Sequence, residues 1–385
     1  MQQSITGSTT KLPGIGTSIF AVMSGLANEC GAINLSQGFP DFECPPHLVE
    51  LVAKYLREGK NQYAPMPGLP ALKEEIALKT QKLYGTSYDP DKEITITSGA
   101  TEAIYAAITS VVKEDDEVLI FEPAYDSYVP SILLNRGKPR YVRLEPPHYK
   151  INWEEVKKEI SYRTRAIILN SPHNPTGTVL SSEDIKQLEK LVSGTDIIII
   201  SDEVYEHIIF DKIAHHSICR YPSLAGRSFV IFSFGKTYHN TGWKMGYVLA
   251  PSGLMTEFRK VFQYLQYSSC TPFQYAFADF MKDEAHYLSL PDFYQNKRDL
   301  FAQAVEASRF QLVPCHGTYF QCLDYSAISD EPDRQFAEHL TREFKIASIP
   351  ISVFYHEKID NQILRFCFAK SEETLKKAGE LLCKI

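Results

Sequence analysis

A lysine amine attacks a carbonyl only when it is neutral, and Lys236 stands in a setting that suits that task. It follows the apolar run Phe229–Phe232 through Ser233-Phe234-Gly235, and Gly242-Trp243-Lys244 comes soon after. An unperturbed lysine has a pKa of about 10.4, so roughly one in a thousand is neutral near pH 7. Burial, or a neighbouring cation such as Lys244, favours the neutral nucleophile. Four further apolar runs end in polar groups of other kinds. After Glu93–Thr97 comes Ser98-Gly99-Ala100-Thr101, opening a helix whose backbone N–H groups and positive dipole end suit a phosphate. After Val118–Phe121 comes Glu122-Pro123-Ala124-Tyr125, an aromatic at a strand end. After Ala166–Leu169, the prolines and glycine of Asn170-Ser171-Pro172-His173-Asn174-Pro175-Thr176-Gly177 fix a rigid loop that presents Asn174. After Ile197–Ile200 comes Ser201-Asp202-Glu203-Val204-Tyr205, and an aspartate there is poorly solvated and needs a cation or a donor.

Ligands of open parallel sheets bind outside the carboxyl ends of the strands. The parts gathered there match the needs of pyridoxal phosphate: phosphate anchors, a stacking ring, a donor to the 3′-oxygen, an anion at the ring nitrogen and an amine for the aldehyde. Each residue alone has a plainer reading. Asp202 could cap a helix, Asn174 could shape its turn and Tyr125 could simply pack. Their shared position at strand ends argues for one site. Two phosphate motifs fail. Gly235-Lys236-Thr237 mimics the end of a P-loop, but Val230 occupies the position of the first glycine. Gly14-Ile15-Gly16 has no strand before it, and Ile19 stands where a dinucleotide fingerprint needs its third glycine.

The runs must be strands for this reading to hold. They are continuously apolar, as strands buried on both faces are, and several recur about every 30 residues, as in βαβ units. With Tyr247–Ala250 they define a large, mostly parallel α/β unit over residues 45–275. Ile104, Ala107, Ile108 and Val111 form one helical stripe within it. Beyond about residue 280, helical stretches (Asn296–Ala307, Arg334–Phe344, Glu372–Cys383) alternate with short strands (Tyr319–Leu323, Leu364–Phe368). The expected second unit is a smaller α+β domain of residues 276–385 plus 1–44. The first 44 residues hold loop signals and are expected to pack on the C-terminal unit or across a dimer.

The chain has 385 residues, enough for two cores, and a formal charge of −7 with no cluster of Lys and Arg. A nucleic-acid partner is therefore not expected. No apolar run approaches the roughly 20 residues of a membrane span, and the polar start Met1–Ser4 does not read as a signal peptide. The eight cysteines form no C-x-x-C pair, which suits free thiols in a reducing cytoplasm. His215-His216 reads as a surface pair, because chain neighbours do not face one way, and no metal is expected.

Several stretches resemble fold-type I, class I pyridoxal-phosphate-dependent aminotransferases over nearly the whole chain. They are Asn34–Phe42 (NLSQGFPDF), Asn61–Pro67 (NQYAPMP), Ser171–Gly177 (SPHNPTG), Ser201–His207 (SDEVYEH), Ser233–Tyr247 (SFGKTYHNTGWKMGY) and Leu364–Lys370 (LRFCFAK). The likeness is strongest to the methionine, kynurenine and glutamine transaminase branch, bacterial methionine aminotransferases included. Gly235, where many members have Ser, and Lys244, where many have Arg, also occur in that branch. The resemblance implies that Lys236 holds the cofactor as a Schiff base and then serves as general acid and base. By the same resemblance Asp202 meets the ring nitrogen, Asn174 and Tyr205 the 3′-oxygen, and Tyr125 the ring face. Ala100, Thr101, Ser233 and Lys244 would bind the phosphate, joined by Tyr63 of the other subunit of a homodimer with shared active sites. Arg365 would grip the substrate carboxylate beside Gly38 and Asn174; alone it could be half of a structural ion pair.

The expected reaction is ping-pong transamination between an amino acid and a 2-oxo acid. No second arginine is placed for an acidic side chain. Ile15, Ile19, Phe20, Tyr63, Tyr267, Phe354 and Tyr355 are candidate pocket residues for a neutral, bulky substrate: methionine first, then Phe, Tyr, kynurenine or glutamine. A C–S β-lyase acting on cysteine conjugates uses the same cofactor chemistry and is the alternative. A transcription regulator's sensor domain is the reading from another class, but the resemblance begins within the first 20 residues and leaves no room for a DNA-binding domain ahead of it.

Overall fold

The computed structural model describes residues 10–385, so the start Met1–Ser4 and the rest of residues 1–9 lie outside the described residues. Seven strands make the main sheet: β1 (Ile94–Thr97), β2 (Glu117–Glu122), β3 (Lys138–Arg143), β4 (Thr164–Asn170), β5 (Ile198–Asp202), β6 (Ser228–Ser233) and β7 (Gly246–Leu249). Six coincide with the apolar runs. The seventh, β3, reads Lys-Pro-Arg-Tyr-Val-Arg and escapes an apolar scan because it lies at the sheet edge, half in solvent. The strand order is β1-β7-β6-β5-β4-β2-β3. Every neighbouring pair is parallel except those of β7, which runs against both β1 and β6.

Alternation along each strand sends side chains to two separate cores. Ile167, Leu169, Ile199, Val230 and Phe232 enter one; Ala166, Ile168, Ile198, Ile200, Phe229 and Ile231 enter the other. Both faces are therefore buried, which is why the runs are apolar without a break. The second core is covered by α1 (Ala100–Val111), α2 (Ser252–Leu265) and the shorter helix Tyr128–Leu134, which adds Tyr128 and Ile132. The stripe Ile104, Ala107, Ile108, Val111 of α1 lies wholly inside it, with Met255, Phe258 and Phe262 of α2. Truncating a wholly buried residue here, such as Ile200 to alanine, costs roughly 2–5 kcal/mol. Register brings the carboxyl ends of β4 and β5 level, Asn170 opposite Asp202, while β6 passes Ile231, the partner of Asp202, and ends at Ser233.

A second sheet is antiparallel and has four strands, in the order Ile349–Pro350, Ile363–Cys367, Phe320–Asp324, Gln311–Leu312. The helices Leu290–Val305 and Glu372–Leu382 pack on each other beside it. The helix Thr271–Phe280 runs through residue 275, the expected end of the large unit, and packs on Pro46–Arg57 and Pro70–Tyr84. The N-terminal segment is more regular than its loop signals suggest. Ile19–Cys30 is a helix packed on Asp333–Glu343, and Ile33–Asn34 pairs in parallel with Ile346–Ala347. That segment thus rests on the C-terminal unit.

Candidate active site

The strand ends and the N-terminal segment enclose a cavity of about 270 Å³. Every residue nominated for the cofactor or the substrate carboxylate lines it, Tyr63 excepted. Lys236 sits on the single helical turn Phe234–Thr237 that follows β6. Its Nζ donates to the hydroxyl of Tyr319 (2.8 Å) and to the carbonyl of Gly38 (3.3 Å). Burial lowers its pKa to about 8, with the charges of Lys244 and Arg365 adding to the effect and Cys367 and Asp202 opposing it.

Asp202, at the end of β5, is 4% exposed. Burial raises its pKa to about 6 against two donors that pull it down: the Tyr128 hydroxyl at 2.6 Å and the Val204 N–H at 3.3 Å. Near neutral pH the carboxylate is still ionised. Tyr125 lines the cavity and meets Tyr128 edge to face, centroids 5.7 Å apart.

Asn170 ties the loop that follows β4 to β5. Its side-chain amide donates to the Asp202 carbonyl (2.9 Å), and its Oδ1 accepts the N–H of Asn174 (2.8 Å). Asn174 Oδ1 in turn accepts from Arg365 (2.8 Å), whose other terminal nitrogen donates to the Ser36 carbonyl (2.8 Å). The Arg365 guanidinium is wholly buried, lies 3.8 Å over the Phe320 ring and leaves its Nε without a partner.

Opposite Asp202, Gly99 turns the chain at φ +87°, a conformation that disfavours a side chain, into α1, whose first N–H groups have no side-chain cap. Ala100, Thr101, Ser233 and Lys244 line this end. Neither Lys244 nor Arg365 forms an ion pair among the described residues, and Asp202 is the only acid lining the cavity. Three cations thus face one carboxylate, an excess that calls for an anionic ligand. This donor set fits pyridoxal phosphate: an amine, a buried carboxylate, a hydroxyl with an amide, and an uncapped helix start beside a hydroxyl and a cation. It also leaves a buried guanidinium with no counter-ion among the described residues and with N–H bonds to spare for a carboxylate.

Tyr63, nominated for the other subunit's site, is 83% exposed, packs edge to face on Tyr267 at 5.6 Å and does not line the cavity of its own chain. Of the candidate side-chain pocket residues only Phe20 lines it. Ile15 and Tyr267 are exposed, Ile19 does not line it, Phe354 stands behind Phe20, and Tyr355 turns its hydroxyl to the Leu144 carbonyl. His215 is not a surface residue: its ring is tucked against Glu203, Nε2 to Oε2 2.9 Å. Roles for Tyr128, Asn170, Tyr319 and Phe320 were not foreseen: Asn170 opens the quoted loop stretch but gave way there to Asn174, and 22 tyrosines in the chain give no single one a signal.

The family model described as aminotransferase class I and II matches residues 31–382. The chain is 50% identical to methionine aminotransferase of Escherichia coli strain K12, with 97% of each chain covered. It is 34% identical to kynurenine–oxoglutarate transaminase of Dictyostelium discoideum, covering 96% of this chain and 94% of that one. The crystal structure of Escherichia coli YbdL, identified as a methionine aminotransferase, superposes with a TM-score of 0.96 over 98% of this chain and 99% of that one, at 50% identity.

Proposed function

The chain belongs to the class I and II aminotransferases, whose cofactor is pyridoxal 5′-phosphate; from that premise we propose that it moves the amino group of a neutral, bulky amino acid, methionine first, to a 2-oxo acid. The observation that carries this reading is the charge pattern of the cavity: Lys236, Lys244 and a wholly buried Arg365 against Asp202 alone. When bound, the cofactor supplies an electron sink that acidifies the α-hydrogen of the amino acid.

In this reading Lys236 would bind the cofactor's aldehyde carbon, Asp202 its ring nitrogen, Asn174 and Tyr205 its 3′-oxygen, and Tyr125 its ring face. Ala100, Thr101, Ser233 and Lys244 would hold the phosphate. Arg365 binds the substrate carboxylate beside Gly38 and Asn174, which orients the α-carbon toward the lysine. With a pKa of about 8, Lys236 is roughly one-quarter neutral at pH 7.5, about two hundred times the fraction of an ordinary lysine. It would take the proton from the α-carbon and pass it to the cofactor's former aldehyde carbon, and the same transfer in reverse would serve the second half-reaction. The amino group stays on the enzyme between the two substrates, so the kinetics are ping-pong.

The apolar rings of Phe20, Phe39 and Phe320 line the cavity, and Arg365 is its only arginine. These features support a neutral side chain, and a flexible thioether suits aromatic walls. The likeness to the Escherichia coli methionine aminotransferase supports methionine in particular. Tyr63 supports a homodimer with shared sites: it stands out from the surface near the exposed Tyr264, Leu265 and Tyr267, a patch suited to a partner subunit that receives its hydroxyl. No helix among the described residues is long and apolar enough to cross a membrane. The eight unpaired cysteines support a reducing compartment such as the cytoplasm. No observation favours the C–S lyase.

Donor profiling of the purified holoenzyme tests the reading. Methionine, Phe, Tyr, kynurenine or glutamine should yield their 2-oxo acids faster than aspartate does. Aspartate far ahead of all of them, or pyruvate plus thiol as the main product from cysteine conjugates, would overturn it.

A further inference from the structure

Three polar atoms close a triangle at the Lys236 amine. The Tyr319 hydroxyl donates its one proton to the Gly38 carbonyl (2.7 Å). That commitment leaves the Tyr319 oxygen as an acceptor toward Lys236, whose Nζ donates to it at 2.8 Å and to the same Gly38 carbonyl at 3.3 Å. A neutral amine has two N–H bonds and one lone pair. With both N–H bonds taken by Tyr319 and Gly38, and with no donor supplied by either, the lone pair is turned away from the pair and toward the rest of the cavity. A tyrosine whose proton were free would instead donate to the amine and quench it as a base.

The triangle is built, not incidental. Tyr319 is wholly buried, meets Tyr205 edge to face at 5.1 Å and packs on Tyr294 at 5.8 Å. A side chain at position 38 would come within 2.6 Å of Phe320 and 3.2 Å of Tyr319, so only glycine lets the N-terminal segment approach this closely. The other charged or titratable groups around the amine are Asp202, Tyr205, Lys244, Arg365 and Cys367. None of them accepts a hydrogen bond from Nζ.

We infer that Tyr319 is a positioning residue for the reaction: with the Gly38 carbonyl it takes up the N–H bonds of neutral Lys236 and leaves the lone pair free to accept the substrate α-proton. The inference rests on Lys236 being the base in the proposed transamination. It also assigns the N-terminal segment a task, because the second acceptor arrives only when that segment docks at Gly38.

The test compares Tyr319→Phe with Tyr294→Phe. The second variant removes an equally buried hydroxyl, one that is bonded to His239 Nδ1 at 3.0 Å and not to the lysine. One readout does not depend on catalysis: competitive acetylation of the full-length chain freed of cofactor, scanned from about pH 6 to about pH 10, with modification of Lys236 read by mass spectrometry. The other is kcat of the holoenzyme with α-protiated and α-deuterated methionine. Losing an acceptor destabilises the charged amine, so Tyr319→Phe should lower the Lys236 midpoint by roughly half a unit to one unit. It should also cut kcat by about five- to tenfold, as one ordinary hydrogen bond would, and raise the isotope effect. Tyr294→Phe should leave the midpoint and the isotope effect as in the parent. If Tyr319→Phe does not fold, 3-fluorotyrosine at position 319, a weaker acceptor of the same shape, should move both readouts in the same direction by less. An unmoved midpoint and isotope effect in the position-319 variant, or equal movement in Tyr294→Phe, overturns the inference. Failure of the parent enzyme to transaminate would overturn the function instead, and the two failures are distinct.

Discussion

Replacing Arg365 by lysine tests the binding of the substrate carboxylate. The guanidinium is wholly buried, donates 2.8 Å bonds to Asn174 and the Ser36 carbonyl, and stacks 3.8 Å from the Phe320 ring, with Nε unpaired. A lysine keeps the charge but has one nitrogen, no plane for the ring and no fork for a carboxylate. Charge-assisted hydrogen bonds contribute about 1.5–3 kcal/mol each, so losing the fork should cost on the order of a hundredfold to a thousandfold in kcat/KM for methionine. A fall of that size alone would not prove the role, because Asn174 also loses its donor. The informative quantity is kcat/KM for methionine divided by that for 3-(methylsulfanyl)propylamine, the same side chain without a carboxylate. Damage to the cofactor site lowers both values and preserves the ratio. Loss of carboxylate binding collapses it by about a hundredfold in Arg365→Lys, and further in Arg365→Met. A ratio that stays within about threefold of the parent's, while kcat/KM falls, would refute the assignment of Arg365.

Other outcomes follow from the same geometry. Tyr128→Phe removes the 2.6 Å donor to Asp202, so the Asp202 pKa should rise above about 6 and the acid limb of the kcat profile should move to higher pH, read by rate–pH measurement in parallel with the parent. The folded Lys236 pKa, about 8, lies below its unfolded value. The unfolded chain therefore binds more protons between these values, and stability of the cofactor-free protein should rise with pH from about 8 to about 10. Lys236→Met should abolish activity, flatten that rise and stabilise the cofactor-free chain near pH 7 by about 3 kcal/mol at most, measured by urea denaturation. Mixing inactive Lys236→Ala and Tyr63→Ala chains should restore about one-quarter of parental activity, because half the random dimers then contain one intact site. No recovery would argue against a shared site.

The sheet was legible because burial on both faces erases polar alternation: β1, β2, β4, β5, β6 and β7 each show as an apolar run. Strand β3 was not, because an edge position lets Lys138, Arg140 and Arg143 stay in water. The helix Ile19–Cys30 was masked by the loop signals of Pro13–Gly16 just ahead of it. At the site, residues that follow apolar strands announced themselves. Asp202 is one: a carboxylate just after four isoleucines is poorly solvated and needs a donor or a cation. Tyr128 and Tyr319 reach Asp202 and Lys236 from 74 and 83 residues away, and such partners are set by tertiary packing, which leaves no local pattern. Tyr63 is legible only through the family resemblance, since its proposed task lies in another subunit.

The central claim is that Lys236 holds the cofactor and that a neutral amino acid releases it. Reduction of the purified holoenzyme with borohydride, followed by peptide mapping, addresses both parts at once. The account predicts a phosphopyridoxyl group on Lys236, lost when excess methionine is added without an acceptor before reduction and kept when aspartate is added instead. A label on another lysine, or one on Lys236 that survives methionine but not aspartate, would contradict it.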